Sequence, residues 1–254
     1  MITNFSLENK VIFISGASSG IGRACAITCA ALGAKVILNG RDTSRLKATK
    51  SEMAHSDRHI LAPFELTNTK EFKKLIHEIH AKSGQINGYI GSAGISTTLP
   101  LRNISADHLD LFFQNNVRSH LLLTKEITRK GVFSDQGGSI IYLTSVMSSV
   151  GEKAKSSYSM SKGALMAAAK SLAIELAPRK IRVNTVAPGV VETPMTNEAV
   201  YAQNALSQQK ILDMHPLGLG KPQDIANLTA FLQSDASRWI TGTDIKIDGG
   251  YTAH

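Results

Sequence analysis

The sequence predicts an α/β fold in which a parallel sheet is covered by helices on both faces. Short apolar runs alternate with amphipathic helical patterns along the chain, and this alternation is typical of parallel strands joined by crossover helices. The first apolar run, Val11 to Ser15, leads directly into a glycine-rich turn and a helix. The 254 residues contain no internal repeat, low-complexity segment or linker, so we expect one domain over residues 1–254.

The composition is that of a water-soluble protein that can bury one full core. Apolar residues make up 43% of the chain, and no stretch approaches the roughly 18 consecutive apolar residues of a membrane-spanning helix. The N-terminus lacks the charged and apolar pattern of a secretory leader. We therefore expect a cytoplasmic protein without a membrane partner.

The formal net charge of +8 does not indicate a nucleic-acid-binding protein. Lysines and arginines are scattered along the chain rather than gathered in a run, and no aromatic residues alternate with them in the manner that stacks bases. We therefore expect no nucleic-acid partner. A positive surface suits a phosphorylated cofactor, although most of the charge is expected to be solvated.

The two cysteines are expected to be small core residues. Cys25 and Cys29 lie four residues apart in a helical pattern, where a disulfide is geometrically awkward. No histidine nearby completes a metal-binding set. We therefore expect neither a metal site nor a redox role for these thiols.

The turn after the first strand predicts a nucleotide site. Its glycines follow the spacing G-x-x-x-G-x-G, and a helix predicted from Ile21 to about Leu32 comes next and ends at Gly33. In this arrangement backbone N–H groups and the helix N-terminus can receive a pyrophosphate. Glycine-rich turns are common and the spacing differs from G-x-G-x-x-G, so the position between strand and helix carries the prediction. The turn residues are Gly16, Ala17, Ser18, Ser19, Gly20, Ile21 and Gly22.

The end of the second strand predicts which dinucleotide binds. This strand is expected over Lys35 to Asn39, and Gly40 and Arg41 follow it. In a dinucleotide-binding fold an acidic residue here accepts from the ribose 2′-hydroxyl, whereas an arginine pairs with a 2′-phosphate. Arg41 therefore predicts NADP(H). The alternative is an arginine in a solvated turn, because further basic residues follow closely.

The middle of the chain continues the alternation of strands and helices. A helix from about Thr43 leads to a third strand, a second amphipathic helix and a fourth strand, and the small residues after that strand would let the backbone approach a cofactor closely. The predicted ranges are His59 to Ala62 for the third strand, Asn68 to Ser83 for the helix and Asn87 to Gly91 for the fourth strand, followed by Ser92, Ala93 and Gly94.

A further helical region is expected over roughly Ser105 to Lys130. It contains two adjacent amides, Asn115 and Asn116, within an apolar helical pattern. Asparagine is unfavourable inside a helix because its side chain competes for backbone hydrogen bonds. We therefore expect at least one of the two to have a polar task.

The C-terminal half supplies three more strands and one long connection. The connection covers about residues 190–215, and a segment of that length inside a compact domain is typical of a lid or binding loop, here with room for short helices. The predicted elements are strands at Ser139 to Thr144, Ile181 to Ala187 and Ile240 to Gly250, a helix through Tyr158 and Lys162 to about Leu176, and a helix at Pro222 to Gln233.

The pair Tyr158 and Lys162 predicts acid–base chemistry. The two residues are four apart, so on a helix they share one face. A phenol with a pKa near about 10 transfers protons poorly at neutral pH, and a nearby cation stabilises its phenolate. Ser145, at the end of the fifth strand, could hydrogen-bond a substrate oxygen. The alternative is that the pair is an ordinary part of a solvated helix face.

Taken together, these residues resemble the short-chain dehydrogenase/reductase family from Lys10 to about Tyr251. The resemblance implies a one-domain Rossmann fold with a doubly wound seven-stranded parallel sheet, helices on both faces, and a homotetramer. Single motifs are weakly specific, but their order and spacing together are not. The motifs are Gly16-Ala-Ser-Ser-Gly20-Ile-Gly22, Ser92-Ala93-Gly94, Asn116, Ser145, Tyr158-x-x-x-Lys162, Val183 to Gly189, Thr193 and Ile240 to Gly250.

The resemblance also implies the roles of the site residues. Tyr158 is expected to protonate a carbonyl oxygen during reduction, and Ser145 to orient that oxygen. Lys162 would bind the nicotinamide ribose and lower the tyrosine pKa, while Asn116 would hold a water of the proton relay. The residues expected to contact NADP(H) are Gly16, Ser18, Ser19, Gly20, Ile21, Gly22, Arg41, Glu65, Leu66, Ser92, Ala93, Gly94, Tyr158, Lys162, Pro188, Gly189, Val191 and Thr193.

The chain departs from the family pattern at three positions. Ser92 stands where asparagine is usual, and we expect weaker support of the neighbouring strand. Glu65 stands where an aspartate commonly caps the adenine pocket, and its extra methylene could alter that contact. Ser15 replaces a frequent threonine and keeps the hydroxyl, so we expect no effect.

The resemblance leaves the substrate open. The most similar type reduces 3-oxoacyl thioesters of an acyl carrier protein with NADPH. Enzymes of that type present arginine on the helix after the Tyr–Lys pair, where this chain has Ile174 and Glu175. That difference favours a free small-molecule ketone or secondary alcohol. A catalytically silent NADP(H) sensor is the third hypothesis.

Overall fold

The structure is a computed structural model that describes residues 3–197 and 204–253. The described residues form a seven-stranded sheet in which every pairing is parallel, in the order β3-β2-β1-β4-β5-β6-β7. The predicted α/β fold class is thereby confirmed. The strands are β1 Val11–Ser15, β2 Lys35–Gly40, β3 Ile60–Pro63, β4 Gly88–Gly91, β5 Gly138–Leu143, β6 Ile181–Pro188 and β7 Asp244–Ile247.

Helices cover both faces of this sheet. Within the described ranges, α1, α2 and α9 pack on one face, and α3, α5 and α6 pack on the other. None of the described helices is long and apolar enough to span a bilayer. The helices are α1 Gly20–Ala31, α2 Thr43–Ser51, α3 Phe72–Ser83, α4 Ala106–Phe113, α5 Ser119–Ile127, α6 Ser156–Leu176, α7 Pro194–Asn197, α8 Ala205–Asp213 and α9 Pro222–Gln233.

Successive side chains of the central strands pack alternately into the cores on the two faces of the sheet. Ile12 and Ile14 of β1 pack with α1 and α9, whereas Phe13 packs with α3 and α5. Cys25 and Cys29 lie fully buried in the first of these cores, as predicted, and burial raises the pKa of the Cys25 thiol to about 12. Neither thiol is therefore ionised at neutral pH.

The strand order creates a crevice at the centre of the sheet. The chain moves outward from β1 through β2 to β3 and then returns to the other side of β1 with β4. The loops that follow β1 and β4 therefore run in opposite directions, and a crevice opens between them at the carboxyl ends of the strands. Ligands of open α/β sheets bind at such a switch point.

Several element ends differ from the predicted ones. The third strand begins at Ile60 rather than His59, because the buried His59 ring accepts from the Val36 amide through Nδ1 at 3.1 Å. The last strand covers Asp244–Ile247 instead of Ile240 to Gly250, since Gly249 and Gly250 have positive φ angles and form a turn. The helix predicted from Asn68 begins as a 3₁₀ turn and becomes α-helical at Phe72.

The region predicted as one helix from Ser105 to Lys130 is interrupted. A π-helical segment, Gln114–Arg118, joins α4 to α5. Such segments carry one additional residue in a turn and are frequent at functional sites. The two adjacent asparagines lie in this segment, so the unfavourable pair marks a real change in helix geometry.

The connection predicted over about residues 190–215 contains the short helices α7 and α8 in its described parts. Its central portion, residues 198–203, lies outside the described residues. The part that follows α8 returns to the sheet through the buried His215.

Candidate active site

A cavity of about 330 Å³ lies at the carboxyl ends of β1, β2, β4, β5 and β6, where the crevice opens. Its wall brings together the predicted site residues except Asn116, which lies behind it. Those residues are Gly16, Ser18, Ser19, Gly20, Ile21, Gly22, Arg41, Glu65, Leu66, Ser92, Ala93, Gly94, Ser145, Tyr158, Lys162, Pro188, Gly189, Val191 and Thr193. Wall residues that the sequence did not single out include Asn39, Phe64, Ile95, Thr144 and Met195.

The glycine turn after β1 has a shape that only glycines permit. Gly16 has a φ of +70°, and a Cβ there would lie 3.0 Å from the Cα of Ala93 in the loop after β4. A Cβ on Gly22 would lie 2.2 Å from the Gly16 carbonyl oxygen. The turn is therefore closed against its own backbone and against the β4 loop.

The start of α1 can receive an anion. Ser19 is the N-cap residue with extended backbone angles, and its side chain makes no capping hydrogen bond to the described helix. The first N–H groups of α1 therefore receive no acceptor from the N-cap side chain, and Gly20, Ile21 and Gly22 line the cavity. The tight turn and these amides fit the pyrophosphate of a dinucleotide.

Ser15 holds the Ser92–Gly94 turn from the β1 side. Its Oγ accepts from the amides of Ser92 at 3.1 Å and Ala93 at 3.3 Å, and it donates to the Ile90 carbonyl at 3.4 Å. We expected serine in place of threonine to have no effect because the hydroxyl is kept, and it is this hydroxyl that links β1 to the loop after β4.

His120, which the sequence reasoning missed, holds the same turn from below. The fully buried ring has Nε2 2.7 Å from the Ala93 carbonyl oxygen and Nδ1 2.6 Å from the Tyr89 hydroxyl. Burial lowers the pKa of His120 to about 4, so the ring is neutral. A carbonyl can only accept, so Nε2 carries the hydrogen and the Tyr89 hydroxyl donates to Nδ1.

The space for this ring comes from a glycine. A Cβ on Gly91 would lie 2.9 Å from His120 Nδ1. Tyr89, His120 and Ala93 therefore form a hydrogen-bonded chain that reaches from the core to the cavity wall. A single histidine in an apolar helix pattern gives no signal of such a role, because both of its partners are distant in sequence.

Asn116 connects the cavity wall to α6. Its Oδ1 accepts from the Ile95 amide at 2.8 Å, and its Nδ2 donates to the Ile95 carbonyl and to Ser161 Oγ, both at 3.0 Å. The adjacent Asn115 instead donates back to Leu111 within its own helix. Asn116 thus has the polar task expected of at least one of the two asparagines, and its described contacts hold Ile95 and Ser161 together.

Lys162 and Tyr158 lie together on the cavity side of α6. Lys162 is buried, its Nζ donates to the Leu143 carbonyl at 2.7 Å, and it lies 5.8 Å from the centre of the Tyr158 ring. Burial lowers the pKa of Lys162 from 10.5 to about 8. The ammonium form still predominates at pH 7, so a cation lies beside the phenol.

A second lysine, Lys155, also lies near the Tyr158 ring. Lys155, at the start of α6, lies 6.0 Å from the centre of the Tyr158 ring and donates to the Thr97 carbonyl at 3.2 Å. Burial lowers its pKa as well. This contact attaches the loop after β4 to the beginning of the helix that carries Tyr158.

Ser145 presents a hydroxyl at the end of β5. Its Oγ accepts from the Met147 amide at 3.2 Å, which caps the short 3₁₀ turn Val146–Ser148. Because one lone pair is used in this way, the hydroxyl hydrogen is available toward the cavity that Ser145 lines. The group is therefore suited to donate to a substrate oxygen.

The opposite end of the cavity carries charged groups. Arg41 Nη1 lies 3.5 Å from Glu65 Oε2, and both side chains are exposed. Asn39, just before them on β2, is buried and uses Nδ2 to donate to the carbonyls of Ala62 and Phe64. Its Oδ1 has no hydrogen-bond partner among the described residues. This end of the cavity thus offers a cation and a carboxylate to a ligand.

His215 anchors the wall near Gly189. Its Nε2 accepts from the Val190 amide at 3.1 Å, and its Nδ1 donates to the Ile211 carbonyl at 2.7 Å. Thr193 packs over the turn of α1, since a Cβ on Gly20 would lie 3.3 Å from its methyl group. The connection after β6 is therefore attached to the cavity at both of its described ends.

Comparison with known proteins agrees with this geometry. A family model described as enoyl-(acyl carrier protein) reductase matches residues 16–252. The 3-oxoacyl-(acyl-carrier-protein) reductase of Escherichia coli strain K12 is 33% identical over 246 residues, which cover 96% of this chain and 98% of that protein.

Three solved structures share the whole architecture. A short-chain type dehydrogenase/reductase from Mycobacterium marinum has a TM-score of 0.91 and 30% identity and covers 100% of this chain and 99% of its own. A 7α-hydroxysteroid dehydrogenase complexed with NADH and 7-oxo glycochenodeoxycholic acid has a TM-score of 0.91 and 28% identity over 98% and 96%. A putative 2-deoxy-D-gluconate 3-dehydrogenase from Agrobacterium tumefaciens with bound NADP has a TM-score of 0.88 and 26% identity over 99% of both chains.

Proposed function

The chain belongs to the short-chain dehydrogenase/reductase family of oxidoreductases, and on that premise we propose that it is an NADPH-dependent enzyme that interconverts a ketone and a secondary alcohol. The observation that carries the proposal is that Ser145, Tyr158 and Lys162 line the same cavity as the glycine turn. The nicotinamide, when bound, supplies the hydride for the carbonyl carbon. The protein has to bind the substrate, orient its oxygen and deliver a proton to it.

Tyr158 is the proposed general acid in the direction of reduction. Its phenolic O–H bond breaks as the substrate carbonyl oxygen takes the proton, and the phenolate regains a proton from solvent through the site. Lys162, an ammonium 5.8 Å from the ring centre, stabilises the phenolate by its charge. Ser145 donates its free hydroxyl hydrogen to the same substrate oxygen and thereby orients the carbonyl.

Asn116 has a proposed part in proton delivery. Its amide holds the Ile95 peptide and Ser161, the residue before Lys162. It therefore fixes the backbone around the place where a relay water would sit next to the ammonium. The role in holding this water is carried over from the family resemblance and stays a prediction.

The preference for NADPH rests on Arg41. The guanidinium lies at the end of β2, on the cavity wall, where the adenosine ribose of a dinucleotide meets this fold. A guanidinium pairs with a phosphate through charge-assisted hydrogen bonds. The structural relatives include one with bound NADP and one with NADH, so both cofactors occur among proteins of this shape.

The proposed substrate is a 3-oxoacyl thioester or a free ketone. The E. coli relative supports the thioester. The exposed Ile174 and its neighbour Glu175 on α6 favour a free ketone, because a docking surface for an acidic carrier protein requires basic residues. The steroid and sugar-acid enzymes among the structural relatives support the same alternative.

The experiment that tests these proposals measures the initial rate of NADPH oxidation, with NADH in parallel. The substrates are an acetoacetyl thioester and a panel of cyclic, aromatic and sugar-like ketones. Preferred turnover of the thioester supports the acyl-chain role. An inert thioester with a reactive ketone assigns the enzyme to specialised or sugar metabolism and directs mapping to residues 190–215.

We further propose that residues 1–254 form one NADP(H)-binding domain, that the substrate loop covers about residues 190–215, and that four copies assemble into a homotetramer. The continuous sheet and the two cores that share it support the single domain. The position of α7 and Thr193 at the cavity wall supports a substrate contact from the loop.

A further inference from the structure

The ends of β2 and β3 lie side by side at the adenosine end of the cavity. Gly40 is paired with Pro63 in the parallel register, and the Phe64 amide donates to the Gly40 carbonyl at 2.9 Å. Asn39 ties the two strand ends together through its bonds to β3 carbonyls. The backbones of Arg41 and Glu65, immediately beyond, are therefore held next to each other by the sheet and not by side-chain rotamers alone.

The two side chains meet across this fixed gap. Arg41 Nη1 is 3.5 Å from Glu65 Oε2, while the other carboxylate oxygen of Glu65 accepts from the Thr67 amide at 3.3 Å. The Thr67 bond directs the carboxylate toward the arginine. Since 79% of the Arg41 side chain and 44% of the Glu65 side chain are exposed, the pair is weak and a bound ligand can replace it.

The neighbouring charged residues Asp42 and Arg45 do not take part in the Arg41–Glu65 pair. Asp42 accepts from the Arg45 amide at 3.0 Å and caps α2, and its other oxygen lies 3.5 Å from Arg45 Nε. These two residues form a separate pair on the helix. Of the charged residues in the described cavity wall, Arg41 and Glu65 follow the ends of β2 and β3, where the adenosine ribose of a dinucleotide meets this fold, whereas Lys162 lies on α6.

The pair affects the two cofactors in opposite ways. A ribose 2′-phosphate must displace Glu65 from Arg41 and then tolerate a carboxylate nearby, which repels it. A 2′-hydroxyl can instead donate to the carboxylate without breaking the pair.

We propose that Glu65 sets the cofactor preference by competing with the 2′-phosphate for Arg41, so that the enzyme uses NADH as well as NADPH. This inference rests on the proposed oxidoreductase function and concerns the same site. It assigns Glu65 a role different from the adenine contact expected from the resemblance. Arg41 alone, by contrast, predicts NADP(H) and gives no reason for NADH to be used.

The test measures binding of two cofactor fragments by calorimetry and needs no substrate. Adenosine 2′,5′-bisphosphate carries the 2′-phosphate, and 5′-AMP carries the 2′-hydroxyl. In Glu65→Gln we expect the Kd of the bisphosphate to fall about 3- to 10-fold, because the competitor and the repulsion are removed. The Kd of 5′-AMP should not fall in the same way. It should rise or stay within about twofold of the parent value, since the glutamine amide still offers an acceptor to the 2′-hydroxyl.

A double substitution separates competition from simple repulsion. If Glu65 acts by occupying Arg41, the gain from Glu65→Gln shrinks in an Arg41→Gln background. Glu78→Gln, which removes an exposed carboxylate from α3, should leave both Kd values unchanged. The gain should also diminish between about 0.02 and 0.5 M salt, because exposed charges are screened. In turnover, the ratio of kcat/KM for NADPH over NADH should rise in Glu65→Gln by the same factor.

Three outcomes would overturn the inference: an unchanged bisphosphate Kd in Glu65→Gln, an equal gain in the Arg41→Gln background, or a strict requirement for NADPH in the parent enzyme. Failure of the proposed function looks different. In that case the parent protein binds neither fragment, and this is seen before any variant is compared.

Discussion

The charged Nζ of Lys162 has one hydrogen-bond acceptor among the described residues, the Leu143 carbonyl. Its pKa lies at about 8 in the folded protein because burial disfavours the ammonium, against an ordinary value of 10.5. Between these two pH values the unfolded chain binds more protons than the folded one, so the free energy of unfolding rises with pH. Below pH 8 both the folded and the unfolded chain bind this proton, so burial of the ammonium lowers the free energy of unfolding by its full amount.

The first prediction concerns Lys162→Met, which keeps the volume and removes the charge. At pH 7 and without cofactor, we expect the variant to have a higher free energy of unfolding than the parent, because a buried charge is removed. The lost hydrogen bond to Leu143 lowers this gain by an amount that does not depend on pH. The difference in unfolding free energy should shrink by about 1–3 kcal/mol between pH 7 and 10.5 as the parent lysine loses its proton. Denaturant unfolding at several pH values measures it, and a difference independent of pH would contradict it.

Tyr158→Phe separates chemistry from binding. Removing the hydroxyl removes the proposed proton donor and little apolar contact, so we expect kcat to fall by about 10²–10⁴-fold while the Kd of NADPH changes less than about twofold. Stopped-flow turnover and calorimetry measure the two quantities. Met160→Leu, an exposed substitution on the same helix, should change neither. Retained turnover in Tyr158→Phe would contradict the role of Tyr158 as the general acid and point to another proton donor.

Among the structural elements, the Ser92–Gly94 turn depends on two unrelated supports, Ser15 above and His120 below. Leucine at position 120 would leave the Ala93 carbonyl and the Tyr89 hydroxyl without their partner in the core. We expect His120→Leu to weaken NADPH binding about 5- to 20-fold with a smaller change in kcat. Cofactor titration together with steady-state kinetics measures both.

A matched control exists on the same helix. Thr124 is also buried on α5, and its hydroxyl bonds to Tyr142 at 2.7 Å without touching the cavity. Thr124→Val should destabilise the protein by a similar amount and leave cofactor binding unchanged. If both variants weaken binding equally, His120 acts through general stability and not through the turn.

The glycine turn gives a second prediction at this scale. A Cβ in Gly22→Ala would lie 2.2 Å from the Gly16 carbonyl oxygen, so the turn must open. We expect cofactor binding to weaken by at least about tenfold and the melting temperature to fall. In Gly163→Ala the new Cβ lies 4.0 Å from its nearest neighbour, and alanine favours the α6 helix, so stability should rise and binding stay unchanged. Equal effects of the two substitutions would contradict the steric argument.

For the molecule as a whole, the strands and the glycine turn can be predicted from sequence because their signals are local. An apolar run followed by small residues is read within a few positions, and Tyr158 and Lys162 lie only one helical turn apart. The chain Tyr89–His120–Ala93 cannot be predicted in this way, since it depends on the packing of α5 against β4. The Arg41–Glu65 pair likewise depends on the register of two strands that are distant in sequence.

The proposed homotetramer can be tested at exposed apolar side chains. Trp239 is 91% exposed and Ile174 is 77% exposed, although both are residues that interfaces bury. We expect the parent protein to sediment as a tetramer. The Trp239→Ser tetramer should dissociate at protein concentrations at which the parent is still assembled, whereas the Arg238→Ser tetramer should stay assembled. Analytical ultracentrifugation measures the mass, and a monomeric parent would contradict the assembly.

The π-helical segment between α4 and α5 places one residue more in a turn than an α-helix does. Deleting one residue here would let the region close as a regular α-helix, with α5 keeping nearly its orientation toward the sheet. The same deletion within α5 itself would turn everything after it by about 100° about the helix axis. A one-residue deletion should therefore be tolerated better in the π-helical segment than in α5, and what it removes is the bulge that carries Asn116 and its contacts with Ile95.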